Sequence, residues 1–331
     1  MNKVLIIAEA GVNHNGNFKL AKKLISAAKK VGADVIKFQI FKADRLASKN
    51  TPNAEYQKKT KFKNQFEMLK KLELSDNDFI KLSKFSKRIK IEFSASFFNE
   101  NDLNVVHKLG MKRVKIPSGE ITNYSLLKKI GSINKKIILS TGMSNLKEIN
   151  QAINLLIKFG AKRKKITILH CNTEYPTPLK DVNLRAINIL RKTFKTQIGY
   201  SDHTISIETP IAAVALGAKV IEKHFTLSKE LQGPDHKSSL TPTEFKKMTL
   251  SIRNTEKLLG HEKKFVSQSE MKNILKCRQY LVASKDIKKN DAFGFHNTSL
   301  KRTGSGGISP MEIPRLFKKR AKKKYKKDDK I

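Results

Sequence analysis

Cysteine is nearly absent from this chain, with two in 331 residues. Cys171 and Cys277 lie far apart and form no CxxC pair, which excludes a disulfide framework and a cysteine-built structural metal site and points to a reducing compartment. Long apolar runs are missing as well. None approaches the ~18 residues of a membrane span, so no membrane partner is expected. The first residues enter an apolar run at Val4 without a basic leader or a small-residue cleavage site, and the expected location is the cytoplasm. Acidic residues are scarce: 29 Asp and Glu stand against 68 Lys and Arg, for a formal net charge of +39. Arginine is scarce within that excess, at 11 of the 68, and the lysines are spread over nearly every predicted helix without an aromatic-interleaved basic strip. That pattern speaks against a nucleic-acid surface. It describes a solvated lysine-rich exterior whose field draws in anionic substrates. The one dense basic run, 318–327, lies beside the C-terminus, where it could equally be a frayed tail, and the sequence leaves open whether it is ordered.

What is present is a repeat of short apolar runs and helical patterns. VLIIAEAG (4–11), DVIKFQIF (34–41), IEFSASFF (91–98), RVKIPSGE (113–120), KKIILSTGM (135–143), KITILHCNTEYP (165–176), IGYSDHT (198–204) and VIEKHFT (220–226) read as eight strands. Helical patterns fall near 75–88, 100–109, 145–159, 183–193, 206–216 and 243–259. Eight strand–helix units over about 260 residues predict an α/β fold of the TIM (β/α)8 barrel type, with a doubly wound open sheet as the competing architecture. Polar residues favour the barrel. Glu9, Lys37, Lys115, Ser118, Glu120, Ser140, Tyr175, Ser201 and His203 all fall at or just past C-terminal strand ends, the face on which barrel enzymes build their sites. The boundaries predicted are a barrel over 1–262, a polar linker over 263–279 and a small unit of short strands and turns over 280–331, too small to bury much core of its own.

His203 and His224 each follow an apolar run, with one Ala- and Val-rich helix between the runs. If the two runs are neighbouring parallel strands, both imidazoles sit at equivalent ends and face one crevice near the turn 233–236. Each histidine alone is an ordinary satisfied residue at a strand end. As a pair they make two nitrogen ligands for a divalent metal, with the remaining positions open to water or substrate, as at a catalytic rather than a structural site.

The motifs IIAEAGVNHNG (6–16), VIKFQ (35–39), KIPSGE (115–120), ILSTGM (138–143), HCNTEYPTP (170–178), GYSDHT (199–204), IEKHFT (221–226), GPDH (233–236) and KRTGSGG (301–307) occur in this order over nearly the whole chain. In them the chain resembles the bacterial sialic acid synthase family, which joins phosphoenolpyruvate to an amino sugar. The resemblance implies a barrel followed by a small antifreeze-like (SAF) domain that covers the site of the partner subunit in a domain-swapped homodimer. It implies a divalent metal, Mn2+ or else Mg2+, on His203 and His224, and phosphoenolpyruvate on Lys37, Lys115, Ser118, Ser140 and Ser201. Gln39, Tyr175, Asp235 and Arg302 match sugar-binding positions, and Glu9 and Glu120 match positions that hold or activate sugar and water, either being able to accept the proton. Thr173, within NTEYP, resembles relatives that make N,N'-diacetyllegionaminate from 2,4-diacetamido-2,4,6-trideoxymannose. The alternatives are an N-acetylneuraminate synthase using N-acetylmannosamine and a metal-dependent pyruvate aldolase that releases no phosphate. Residues 42–67 match no motif, and Cys171 is expected to serve packing alone.

Overall fold

A computed structural model describes residues 3–54, 57 and 62–331. It divides into two compact units, Met1–Gly260 and His261–Ile331.

The first unit is a closed barrel of eight parallel strands: β1 (Leu5–Gly11), β2 (Val35–Ile40), β3 (Glu92–Phe97), β4 (Arg113–Ile116), β5 (Lys136–Ser140), β6 (Ile166–Cys171), β7 (Gln197–Asp202) and β8 (Val220–His224). Strand β1 closes the ring by pairing with β2 on one side and β8 on the other, Leu5 opposite Val220 and Glu9 opposite His224. The open-sheet alternative is thereby excluded. Apolar residues on both faces of each strand make this possible. One face packs on the surrounding helices, and the other fills the interior, where Ile7, Val35, Ile138, Leu169 and Val220 form a separate apolar layer.

The helices follow from caps and periodicity. Helix α1 (Phe18–Lys30) starts at Asn17, whose side chain accepts from the Leu20 N–H, and it buries Ala21, Leu24, Ile25 and Ala28 at helical spacing. Each fully buried leucine or isoleucine there contributes roughly 1.5–3 kcal/mol. Short α2 (Ala43–Leu46) lies within the segment that matched no motif and α3 (Gln65–Leu72) begins in it; residues 55–56 and 58–61 of it lie outside the described residues. Helices α4 (Asp76–Arg88), α5 (Tyr124–Ser132), α6 (Leu146–Lys158), α7 (Ala186–Phe194), α8 (Glu208–Ala215) and α9 (Pro242–Leu258) complete the outer layer, with reciprocal capping pairs Ser75/Asp78, Asn145/Glu148 and Thr241/Glu244. The helix expected near 100–109 is instead a 3-10 helix over Glu100–Val105. Its Asn99 side chain bonds the Asn101 N–H, two residues on, and the Asn- and Asp-rich sequence competes for backbone partners. Among the described residues no helix is long and apolar enough to cross a membrane.

In the second unit, residues expected to be linker contain helix α10 (Gln268–Cys277), started by the Ser267/Glu270 pair. The basic run near the C-terminus is ordered: Ala321 is buried, and Tyr325 and Ile287 exchange both backbone hydrogen bonds. Around the antiparallel pair β9 (Tyr280–Ala283) and β10 (Thr298–Lys301), and short α11 (Ile313–Leu316), a small core gathers Leu281, Ala283, Ile287, Phe293, Leu316 and Ala321.

Candidate active site

Strand alternation aims one side chain in two into the barrel, and above the apolar layer those side chains become charged. Lys37 on β2, Lys115 on β4 and Glu222 on β8 meet there with Glu9 from β1. Lys37 Nζ lies 2.8 Å from Glu9 and 3.6 Å from Glu222, while Lys115 Nζ lies 2.7 Å from Glu222. All four are buried, so the charges balance within the cluster. Burial alone would raise the Glu222 carboxyl, but Lys115 and Lys37 overcome it and hold its pKa at about 2. Burial raises Glu9 despite Lys37, and lowers Lys115 despite Glu222. Ser96 accepts from Lys37 at 2.7 Å, and Ser201 donates to Glu222 at 3.2 Å.

These residues form the base of a cavity of about 290 Å3 at the C-terminal face of the barrel. Gln39, Ser118, Glu120, Ser140, Tyr175, His203 and His224 line it as well. Ser118 has a local partner, accepting from the Gly142 N–H at 3.0 Å. Gly142 lies so close that an added Cβ would stand 2.6 Å from the Thr173 methyl and 2.9 Å from Ser118 Oγ, so a larger residue there would displace both side chains. Ser140 Oγ is buried without a hydrogen-bond partner among the described residues. Glu120 accepts from Asn123 at 2.7 Å, and burial raises its pKa.

The two histidines meet at the rim, ring centroids 5.3 Å apart. His203 Nδ1 bonds the Asn172 carbonyl. A carbonyl only accepts, so that nitrogen carries a proton, while Nε2 meets the Tyr175 hydroxyl at 3.0 Å. Burial would lower the His203 pKa, but the Cys171 thiol and the Asn172 carbonyl beside it raise it. His224 Nδ1 has no hydrogen-bond partner among the described residues and lies 3.6 Å from Asp235 Oδ2. Burial, with His203 and Lys37 adding to it, pushes the His224 pKa well down, so its ring is neutral. Burial and the nearby Glu9 charge raise Asp235 to about 7.

A model of the NeuB family matches residues 24–264. The chain belongs to the NeuB family. It is 51% identical to the N,N'-diacetyllegionaminic acid synthase of Campylobacter jejuni over all of this chain and 99% of that one, and 44% identical to the synthase of the same name from Legionella pneumophila over 94% and 88%. The crystal structure of the N-acetylneuraminic acid (sialic acid) synthetase of Leptospira borgpetersenii superposes with a TM-score of 0.74 at 34% identity, covering 82% of this chain and 90% of that one.

The imidazole pair of this NeuB-family chain fits two ligands of a divalent metal: the rings meet at an opening with a carboxyl beside them, and the neutral His224 leaves its Nδ1 without a hydrogen-bond partner among the described residues. No third His, Cys, Asp or Glu joins them at ligand distance among the described residues, so further positions fall to water or substrate. Of the residues singled out from sequence, Arg302 alone belongs to the second unit, where it is exposed just past β10. Cys171 is buried as expected, but it also lines the cavity, its sulfur 3.8 Å from His203 Nδ1. Sequence reasoning passed over Glu222, although its place two residues before His224 on a strand puts both on one face. It also passed over the wall that Leu46, Gln57, Gln65 and Leu69 supply from the segment between β2 and α4.

Proposed function

We propose that the protein condenses phosphoenolpyruvate with 2,4-diacetamido-2,4,6-trideoxymannose, giving N,N'-diacetyllegionaminate and phosphate, in the cytoplasm. The observation that carries this reading is the 51% identity, over the full length of both chains, to a protein named for that product. The site chemistry supports it. Two ammonium groups, Lys37 and Lys115, with the hydroxyls of Ser118, Ser140 and Ser201, suit the phosphate and carboxylate of phosphoenolpyruvate through charge-assisted hydrogen bonds. Glu222 keeps both lysines protonated and aimed until the anion arrives.

His203 and His224 would hold Mn2+ or Mg2+, which when bound acts as a Lewis acid on the sugar's aldehyde oxygen. The methylene carbon of phosphoenolpyruvate attacks the aldehyde carbon, and positive charge develops at the enol carbon. Water adds there, and the resulting tetrahedral centre expels phosphate. We assign the proton from that water to Glu120, whose pKa burial raises and which has no cationic partner among the described residues. Glu9, tied to Lys37, we assign with Gln39, Tyr175 and Asp235 to holding the sugar.

Specificity follows from unpaired polar groups. A pocket shaped for a methyl at C6 and a second acetamido group leaves the extra hydroxyls of N-acetylmannosamine without partners, which costs about 1–3 kcal/mol per group. The expected kcat/KM for the diacetamido sugar exceeds that for N-acetylmannosamine by roughly 10–100-fold. Phosphate release measured with each sugar decides it; equal or reversed preference moves the chain to N-acetylneuraminate synthesis, and turnover of pyruvate without phosphate moves it to an aldolase.

We further propose that residues 280–331 cap the barrel of a partner subunit, reached through 263–279, with Arg302 binding an N-acetyl group. The small core of this unit and the exposed Met271 and Leu275 on α10 support an associated state. Arg302→Ala has a sound barrel and a defective cap; His203→Ala has the reverse. Co-expressed and purified together without separating the dimers, the two inactive variants are expected to recover about a quarter of wild-type activity if caps cross over, because random pairing in a two-fold dimer leaves one intact site in half of the dimers. Mixed dimers with no recovered activity would put Arg302 in the site of its own chain.

A further inference from the structure

Strand β8 alternates: Glu222 and His224 line the cavity, and Lys223 between them faces the other way, away from it. Lys223 is fully buried there. Its Nζ lies 2.6 Å from Asp202 Oδ2, equally buried, and donates to the Ser206 carbonyl at 3.1 Å and to the Thr204 carbonyl. Asp202 Oδ1 accepts from the Thr204 N–H at 2.9 Å and the Tyr200 hydroxyl at 3.1 Å, and Oδ2 accepts from the Thr209 hydroxyl at 2.8 Å. The turn from β7 into α8 is therefore gripped at Asp202 and Thr204, the two residues that flank His203.

A buried ion pair is in general no more stabilising than apolar groups of the same volume. What a methionine or leucine at 223 does not supply is a donor that holds two backbone carbonyls of the turn in one arrangement. The geometry points to Lys223 as a positioning residue of the proposed metal site: from the far side of the strand it fixes the backbone on both sides of His203 and so aims Nε2 toward His224. This inference rests on the metal reading of the histidine pair.

The test uses full-length protein stripped with chelator and titrated with Mn2+ alone, followed by electron paramagnetic resonance, with thermal midpoint measured beside it. Wild type is expected to bind Mn2+. Lys223→Met is expected to bind it about 10–100-fold more weakly, the range typical of groups that orient a metal ligand, and to melt lower because Asp202 is left unpaired. In Lys223→Met/Asp202→Asn the charge mismatch is gone, so the melting temperature recovers while Mn2+ affinity stays low, the two carbonyls still lacking their clamp. Amide hydrogen exchange over 202–206 is expected to quicken in both variants. Wild-type Mn2+ affinity in Lys223→Met, or affinity that recovers together with melting temperature in the double variant, overturns the assignment and leaves a merely stabilising pair. Should the single variant not fold, the double variant decides by the same affinity criterion. Wild type that fails to bind Mn2+ overturns the metal reading itself, and this inference with it.

Discussion

Alanine at His203 or His224 is expected to lower turnover by at least about 1000-fold and to abolish Mn2+ binding. Loss of a Lewis acid removes several kcal/mol of charge stabilisation, and about 4 kcal/mol corresponds to that factor. Neither substitution leaves a pair of imidazoles, and among the described residues no set of three His, Cys, Asp or Glu is arranged to hold the ion in its place. Chelator treatment of the wild type should have the same effect, reversed by Mn2+ or Mg2+. The fold should survive both substitutions, because the imidazoles sit at the rim while the barrel interior beneath is closed by the apolar layer of Ile7, Val35, Ile138, Leu169 and Val220. Either variant retaining metal affinity and turnover would sink the assignment, and chelator-resistant wild-type activity would remove the metal from the reaction.

Lys115→Met is expected to act twice. It strips Glu222, buried and held at a pKa of about 2, of the partner at 2.7 Å. Breaking a buried pair costs roughly 3–5 kcal/mol, and Lys37 at 3.6 Å keeps the loss at the lower end, about 3 kcal/mol. It also removes a charged donor proposed for phosphoenolpyruvate, worth about 1.5–3 kcal/mol, so the KM for that substrate rises roughly 10–100-fold. Adding Glu222→Gln separates the two effects, since stability returns and the high KM persists. Urea denaturation and initial-rate kinetics on both variants are the measurements. An unchanged KM in Lys115→Met would release that lysine from substrate binding; unchanged stability would mean that water or a shift of Lys37 already satisfies Glu222.

The barrel was legible in the sequence because its signal is local: each apolar run and the carboxylate, lysine or serine at its end can be seen within ten residues. The histidine pair was legible for the same reason, through two matching strand ends. Glu222 was not read because its partner Lys115 is 107 residues away, and a carboxylate inside VIEKHFT gives no sign of what will face it. Lys223 was missed similarly; a lysine in a lysine-rich chain looks like surface until the fold buries it. Helix α10 reads as linker because its apolar stripe, Met271, Ile274 and Leu275, spans little more than one turn within a polar stretch, and only the Ser267/Glu270 pair marks its start. Between β2 and α4 the short helices and polar turns gave no period long enough to read, and there the cavity acquires Leu46, Gln57, Gln65 and Leu69.

Because β1 pairs with β8 to close the ring, the reaction centre is a late product of synthesis. A nascent chain still on the ribosome before β8 emerges has made Glu9, Lys37 and Lys115 but neither Glu222 nor His224, and β1 presents an open edge. It carries two lysines without a shared counter-charge and half of the proposed metal site. Premature termination anywhere upstream of β8 therefore yields no weakly active fragment, only a chain with a strand edge available for aggregation or for chaperones to shield.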